Sequence, residues 1–233
     1  MAAAHPTQLT LGIRLSDETR FDNYLVSAAN KALVEKLLRP DPGQNFLFIR
    51  AEKGVGLSHL LQALCHVEQV AEQPAFYLPL AEHEQFSPEI LQGIQSMSLL
   101  CIDDLDSIAG NAAWEQALFI AVNDIMASPT RLVVGASTAP RYLALKLADL
   151  RSRLQAAAVF QLKEPSDEEK FDLLRLRASR RGMNLSEEVA NYILARTERS
   201  IPALMAVLEA LEASTLAHRR AVTIPLVRET LQW

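Results

Sequence analysis

The stretch FLFIRAEKGVGLSHLL, residues 46–61, decides the fold of this chain. It begins with Phe46–Arg50, a short run of mostly apolar side chains of the kind found in buried strands. A glycine-containing turn, residues 51–58, follows at once, and a helical pattern begins where the turn ends. A strand that passes through such a turn directly into a helix is typical of a parallel sheet covered by helices.

The same alternation continues along the chain. Short apolar runs predict further strands at Ala75–Pro79, Leu99–Asp103, Arg131–Ala136 and Ala158–Leu162. Helical patterns separate the strands at Leu57–Val70, Pro88–Ile94, Ala112–Ala127 and, over a short stretch, near Asp149. Together these assignments predict an α/β fold with a mostly parallel sheet flanked by helices.

After Pro165 the strand patterns cease and only helical patterns remain. Ser166 followed by Glu169 has the spacing of a capping box at a helix start. Further on, apolar residues recur at helical spacing, at Leu204, Val207, Leu208 and Leu211. The sequence therefore predicts three parts: an N-terminal tail at residues 1–19, an α/β base domain at 20–162 and a small helical domain at 163–233.

Composition excludes several classes of protein. With 233 residues, of which 49% are apolar and 22% charged, the chain has the profile of a soluble globular protein. It contains neither a long apolar membrane helix nor a secretory signal pattern. A net charge of −5 gives no basic surface for nucleic-acid phosphates. Cys65 and Cys101 lie in apolar runs without metal-ligand spacing, so we expect buried thiols, no metal site of their own and a cytoplasmic protein.

The turn after the first strand resembles a phosphate-binding loop of the pattern GxxxxGK[ST]. Such a loop offers backbone N–H groups to an anion at the N-terminus of a helix, and here the candidate residues are Gly54, Val55, Gly56, Leu57 and Ser58. The first glycine of the pattern is replaced by alanine, and Leu57 stands where the lysine belongs. The lost charge-assisted contact is worth about 1.5–3 kcal/mol, which lowers nucleotide affinity roughly tenfold to a hundredfold. A glycine-rich turn that binds nothing is the equal alternative.

Two carboxylates follow the third strand. Asp103 and Asp104 come directly after an apolar run, at the edge of the sheet where α/β sites assemble, as in a Walker B motif. In a working site the first carboxylate would hold Mg²⁺ through water and the second would orient the attacking water. The alternative is that the acidic residues, with Asp106 close by, cap a helix.

Several motifs together resemble the AAA+ region of the bacterial replication initiator DnaA. They are FDNYLV at 21–26, the degenerate loop, LCIDD at 100–104, IAG at 108–110 and DLRSR at 149–153. The resemblance covers residues 20–233 and implies an AAA+ P-loop NTPase-like base with a helical lid. Since Trp233 falls within the expected lid, we expect no helix-turn-helix DNA-binding domain, which disfavours a DNA-binding initiator variant. The layout is that of the shortened, DnaA-related regulators.

The resemblance also implies roles for single residues. Arg153 matches the arginine finger that reaches the nucleotide of a neighbouring subunit, and Arg151 either assists it or is simply solvated. The alternative is that both arginines pair with local acids such as Asp149. Ser137 lies at the sensor 1 position, and Pro202 replaces the sensor 2 arginine. With Leu57 as well, both cations of the chain's own site are missing, so we expect no intrinsic ATP hydrolysis and at most weak binding of ADP with Mg²⁺.

The N-terminal tail resembles the peptide by which replication proteins bind the sliding clamp. The candidate residues are Gln8, Leu9, Leu11 and Ile13, while Gly12 departs from the residue expected there. Alone, this short motif occurs by chance in many proteins, and an edge strand is the alternative. With the resemblance to DnaA, it predicts an adaptor that docks on the DNA polymerase III sliding clamp, meets DNA only through that clamp, and stimulates hydrolysis of DnaA-bound ATP. An autonomous ATPase that loads or remodels replication proteins is the alternative, and homo-oligomerisation stays open.

Overall fold

The computed structural model describes residues 15, 16, 18–218 and 221–233. It contains the strands β1 (Phe46–Ala51), β2 (Ala75–Pro79), β3 (Leu99–Asp103), β4 (Arg131–Ala136) and β5 (Ala158–Leu162). They form a parallel sheet with the order β2-β3-β4-β1-β5. The predicted strands are confirmed, and β1 extends one residue further than predicted. Because the strands are parallel, the loops that follow β1, β3 and β4 meet at one edge of the sheet.

Helices cover both faces of this sheet. They are α1 (Lys31–Leu38), α2 (Leu57–Val70), α3 (Ala112–Met126) and α4 (Ala148–Gln155). Alternate residues of a strand point to opposite faces. In β3, Leu100 and Ile102 join a core shared with α3, whereas Leu99 and Cys101 join a core shared with α1 and α2. A strand buried on both faces has no polar side, which explains the continuous apolar runs in the sequence.

The helix predicted at Pro88–Ile94 is wrong. This segment forms two 3₁₀ turns, Pro88–Leu91 and Ile94–Ser96. Gly93 separates them with a φ of 76°, a left-handed conformation that ends the first turn. Helix α1, by contrast, is not among the predicted elements. Its C-terminus is held by Arg131 of β4, whose guanidinium donates to the carbonyls of residues 37 and 36 at 2.7 and 3.3 Å.

The C-terminal part is helical, as predicted. It consists of α5 (Asp167–Arg180), α6 (Glu187–Leu194), α7 (Ile201–His218) and α8 (Ile224–Leu231). The capping box is confirmed, because Ser166 Oγ accepts from the Glu169 N–H at 3.2 Å and Glu169 Oε2 accepts from the Ser166 N–H at 2.8 Å. The predicted apolar stripe of α7 is buried in a core that these helices share. No helix in the described ranges is long and apolar enough to cross a membrane.

Polar contacts tie the start of the helical part to the segment that precedes α1. Glu169 Oε1 accepts from the Ala28 N–H at 2.8 Å. The Asn30 side chain bonds Lys163 twice, donating to its carbonyl at 2.7 Å and accepting from its N–H at 2.9 Å. Asn30 is only 3% exposed, so both bonds are protected from water. These contacts set where the lid begins relative to β5.

The N-terminal segment is fixed from its first described residues. Leu15 packs against the core shared with α2, and the Ser16 N–H donates to Gln62 Oε1 of that helix at 3.0 Å. Glu18 lies 3.1 Å from a guanidinium nitrogen of Arg181, which belongs to the lid. The segment therefore bridges α2 and the lid.

Candidate functional site

The glycine-rich turn after β1 has the backbone of a phosphate-binding loop. Gly54 and Gly56 have φ values of 84° and 97°, in the left-handed region that glycine adopts without strain. Gly56 caps α2, and its carbonyl accepts from the Leu60 N–H at 3.0 Å. The first N–H groups of α2 have no partner within the helix, so they are available to an anion. A cavity of about 360 Å³, here called the loop cavity, is lined by residues 51–54, 56–58, 103, 104, 136 and 137.

Leu57 occupies the wall of the loop cavity at the position where a lysine would give a positive charge. Its Cδ2 lies only 2.8 Å from the place that a Cβ on Gly135 would take. Leu57 is half-buried and packs against the apolar core beside α2. The residue therefore adds apolar contact with β4 and no charge.

Pro202, in the first turn of α7, lies directly over the loop. Its Cγ and Cδ lie 2.8 and 3.1 Å from the place that a Cβ on Gly54 would take. Ser200 caps the helix, because its Oγ accepts from the Ala203 N–H at 3.4 Å. Proline is well accommodated in a first helical turn. The helical part thus meets the loop through the apolar ring of Pro202.

Lys53 also lines the loop cavity, and it is not among the residues predicted from the sequence. Burial raises the pKa of the Asp104 carboxyl, and the charges of Asp103 and Asp106 raise it further. The charge of Lys53 lowers the pKa of Asp104. A lysine is therefore present at the loop cavity, one residue before Gly54, at a position where the loop pattern admits any residue.

The two carboxylates at the C-terminal end of β3, Asp103 and Asp104, have different surroundings. Asp103 is 1% exposed, and its oxygens accept from the Tyr77 hydroxyl at 2.8 Å and from the Asp104 N–H at 3.0 Å. Burial, together with the Asp103 charge, raises the pKa of Tyr77 well above its usual range, so the hydroxyl stays a donor. Asp104 is half-buried, adopts a φ of 51° and makes no side-chain cap. Its carboxylate therefore lines the loop cavity rather than capping the turn that follows.

Asp106 likewise does not cap a helix. Its two carboxylate oxygens accept from the N–H and the hydroxyl of Ser137, at 2.8 and 2.9 Å. Ser137 is thereby fixed directly after β4. The helix-cap alternative for this acidic cluster is not what the structure shows.

The residues at the loop cavity fit a nucleotide phosphate with Mg²⁺ only in part. Ser58, Asp103 and Asp104 supply the hard oxygen donors that Mg²⁺ takes when it accompanies phosphates. The glycine backbone supplies N–H groups, but Leu57 and Pro202 supply no cation. Among the described residues, no group of three or more histidine, cysteine or acidic side chains could hold a metal ion.

A second cavity, of about 230 Å³ and here called the side cavity, adjoins the loop cavity at Gly56. Its walls include Tyr24, His59, Leu173 and Met205, and they are mostly apolar. Burial raises the pKa of Tyr24 to about 12. Burial also lowers the pKa of His59, so both side chains are uncharged at neutral pH. Arg177 also lines the side cavity and is its one charged side chain. The side cavity therefore suits a mostly apolar group next to the glycine-rich loop.

Arg153 lies away from the cavity of its own chain. It is exposed in the last turn of α4, and its side chain makes no hydrogen bond or ion pair with any described residue. Arg151 is half-buried and donates to the Leu145 carbonyl at 3.4 Å. Neither arginine pairs with Asp149, which rules out that alternative within the described chain. The clamp-binding candidates Gln8, Leu9, Leu11 and Ile13 lie outside the described residues.

Comparisons with known proteins agree with this geometry. Residues 15–161 match the family model of the bacterial DnaA ATPase domain, and residues 167–231 match the model of the Hda lid domain. An uncharacterised protein of Haemophilus influenzae is 36% identical over 227 residues, which cover 96% of this chain and 98% of that protein.

Solved structures share the fold at low identity. Domain III of the Thermotoga maritima replication initiation protein DnaA has a TM-score of 0.79 at 21% identity, covering 94% of this chain and 98% of that one. AMPPCP-bound DnaA from Aquifex aeolicus has a TM-score of 0.71 at 18% identity, covering 88% and 68%. The RuvB Holliday junction branch migration motor of Thermotoga maritima has a TM-score of 0.65 at 16% identity, covering 91% and 72%. The chain belongs to the DnaA-related AAA+ family, with an ATPase-type base and a lid of the Hda type.

Proposed function

We propose that this protein regulates replication initiation by promoting hydrolysis of the ATP held by DnaA. The observation that carries the proposal is the position of its charges. Arg153 is exposed and unpaired among the described residues, whereas both expected cation positions of the loop cavity, residues 57 and 202, are apolar. An arginine with no local partner, on a chain whose own phosphate site lacks its usual cations, is suited to act on a nucleotide bound elsewhere.

The chemistry of the proposed step is electrostatic. A guanidinium placed against the transferring phosphoryl group stabilises charge that develops in the transition state, and is worth about 10³ to 10⁵ in rate. In this proposal Arg153 supplies that group, while DnaA supplies the nucleotide, its Mg²⁺ and the attacking water. The product is DnaA with bound ADP, which we propose to be the inactive form, so the protein suppresses further initiation.

The proposal assigns the N-terminal tail to the sliding clamp. Residues 8–13 would insert alternate apolar side chains into a groove of the clamp, while Gln8 gives directional hydrogen bonds. Clamps loaded on DNA would then bring the protein to newly replicated DNA without contact between this chain and the duplex. We keep the division into tail (1–19), base (20–162) and lid (163–233) as part of the proposal.

ATP turnover by DnaA tests the proposal directly. Turnover is measured with DnaA alone, with this protein added, and with both this protein and DNA-loaded clamp. We expect strong stimulation only in the complete mixture, because the clamp raises the local concentration of Arg153 near DnaA. If this protein alone hydrolysed ATP at about 1 s⁻¹, in the range of ordinary enzymes, it would instead be an autonomous ATPase.

The chain's own site is proposed to hold a nucleotide weakly and not to hydrolyse it. The loop and the N-terminus of α2 would hold the phosphates, and the side cavity would receive the base. Leu57→Lys is therefore expected to tighten ADP binding by about tenfold or more, because one charge-assisted contact is restored. ATP turnover should stay negligible, since Pro202 still gives no cation from the lid.

Paired titration calorimetry and turnover assays check this result. Leu57→Met is the matched control, because it keeps an apolar side chain of similar volume and should leave the ADP affinity unchanged. Equal ADP affinity in the lysine variant and the parent would remove the loop cavity as a phosphate site.

A further inference from the structure

The helix that carries Arg153 begins without a cap of its own. The residue at the N-cap of α4 is Leu147, which has no side-chain acceptor. The backbone N–H groups at this point instead donate to Glu115 of α3. Lys146 donates to Oε1 at 3.1 Å, and Leu147 donates to Oε2 at 2.6 Å. The start of α4 is therefore held by a carboxylate from a neighbouring helix, 31 residues away along the chain from Lys146.

Glu115 makes one more contact, with the loop that follows β3. Its Oε1 accepts from the Gly110 N–H at 2.7 Å. Gly110 has a φ of 88° and ends the segment in which Asp106 holds Ser137. One carboxylate thus joins α4 to the segment that borders the loop cavity.

The three hydrogen bonds to Glu115 compensate for the burial of its charge. Glu115 is 1% exposed, and a buried charge is costly unless it is fully hydrogen-bonded. Burial opposes the charged form, but the N–H groups of Leu147, Gly110 and Lys146 hold the pKa of Glu115 below its usual range. The side chain is therefore a charged acceptor at neutral pH, at the N-terminus of α4, where negative charge is favourable.

We infer that Glu115 is a positioning residue, which fixes the direction of α4 and thereby the place at which Arg153 meets the partner's nucleotide. The inference rests on the proposed function of Arg153. Arg153 follows Leu147 by six residues, or about 9 Å along a helix at 1.5 Å per residue. A tilt of about 6° at the start of α4 would move this position by about 1 Å, and such a misplacement can cost about 10²-fold in rate.

The test is Glu115→Gln in the full chain, assayed with DnaA and DNA-loaded clamp. The amide keeps the shape of the side chain, but its NH₂ group faces a backbone N–H, so at least one bond is lost. We expect the maximal rate of DnaA-bound ATP hydrolysis to fall by about tenfold or more. The concentration of this protein that gives half of the maximal rate should stay within about twofold of the parent's value. Glu84→Gln is the matched control, since Glu84 is exposed and should change neither quantity.

Hydrogen exchange gives a readout that does not depend on DnaA. In Glu115→Gln the amides of residues 110, 146 and 147 should exchange faster, while those of the central strands β1 and β4 keep the parent's rates. If the glutamine variant does not fold, Glu115→Asp retains the charge and shortens the reach by one methylene. Glu115→Asp should show the same lower maximal rate and faster amide exchange, both to a smaller extent.

The outcomes separate the inference from the proposed function. A lower melting temperature with an undiminished maximal rate would mean that Glu115 only stabilises the fold, which overturns the inference. Unchanged exchange at residues 146 and 147 overturns it as well. If the parent protein itself fails to stimulate DnaA, the proposed function of Arg153 falls, and the inference falls with it.

Discussion

Replacing Arg153 with alanine is expected to lower the stimulated rate of DnaA-bound ATP hydrolysis by about 10³-fold or more, to the rate of DnaA alone. The reason is that the substitution removes the only group that this protein is proposed to give to the reaction. The fold should be unaffected, because the side chain is exposed and makes no hydrogen bond or ion pair with a described residue. Single-turnover hydrolysis of labelled ATP on DnaA, with DNA-loaded clamp present, measures the effect.

Arg180→Ala is the matched control for this experiment. Arg180 is also an exposed arginine in the last turn of a helix, α5, so its loss removes the same favourable interaction with a helix C-terminus. It should leave the stimulation intact. Stimulation by the Arg153 variant that stays within about threefold of the parent would show that another group acts as the finger.

Deleting residues 1–14 should abolish binding to the sliding clamp, because the deletion removes the whole proposed docking segment. The melting temperature should change little. The cut leaves Leu15 on its core, the Ser16 bond to Gln62, and the ion pair between Glu18 and Arg181. Clamp pull-down and thermal melts of the truncated and full-length proteins give the two measurements.

A point variant separates a specific contact from a general effect of the tail. Gln8→Ala removes the proposed directional hydrogen bonds and keeps the length of the chain, so it should weaken clamp binding without abolishing it. Full retention of the truncated protein on the clamp would exclude residues 1–14 as the docking segment.

The fold was predictable wherever local patterns and global structure agree. Parallel strands buried on both faces leave continuous apolar runs, and these runs predicted all of β1 to β5. The segment at 88–94 also has apolar spacing, but Gly93 interrupts it with a left-handed conformation that periodicity does not reveal. Helix α1 carries a short local pattern, because Leu33, Val34 and Leu37 recur at helical spacing and are buried. The helix is only eight residues long, and its C-terminus depends on Arg131 from a strand far along the chain.

Only part of the candidate site was predictable from the sequence. The phosphate-loop pattern identified Leu57, and the resemblance to DnaA identified Pro202, because each replaces a residue that a motif specifies. Lys53 and Glu115 stand at positions that those motifs leave open. Their roles depend on neighbours brought close by the fold, Asp104 for the lysine and the start of α4 for the glutamate. Such contacts join distant parts of the chain and leave no pattern in the local sequence.

If residues 8–13 dock on the clamp as proposed, the packing of Leu15 and Ser16 on the body of the protein would limit the slack of that attachment. Only Arg14 lies between the proposed docking segment, which ends at Ile13, and the packed Leu15. Two residue steps span at most about 7 Å, far too little for the body to swing freely on a flexible tether. A protein held so closely to the clamp would adopt a narrow range of orientations relative to the DNA. Its encounters with DnaA would therefore depend on where along the duplex DnaA is bound relative to the clamp.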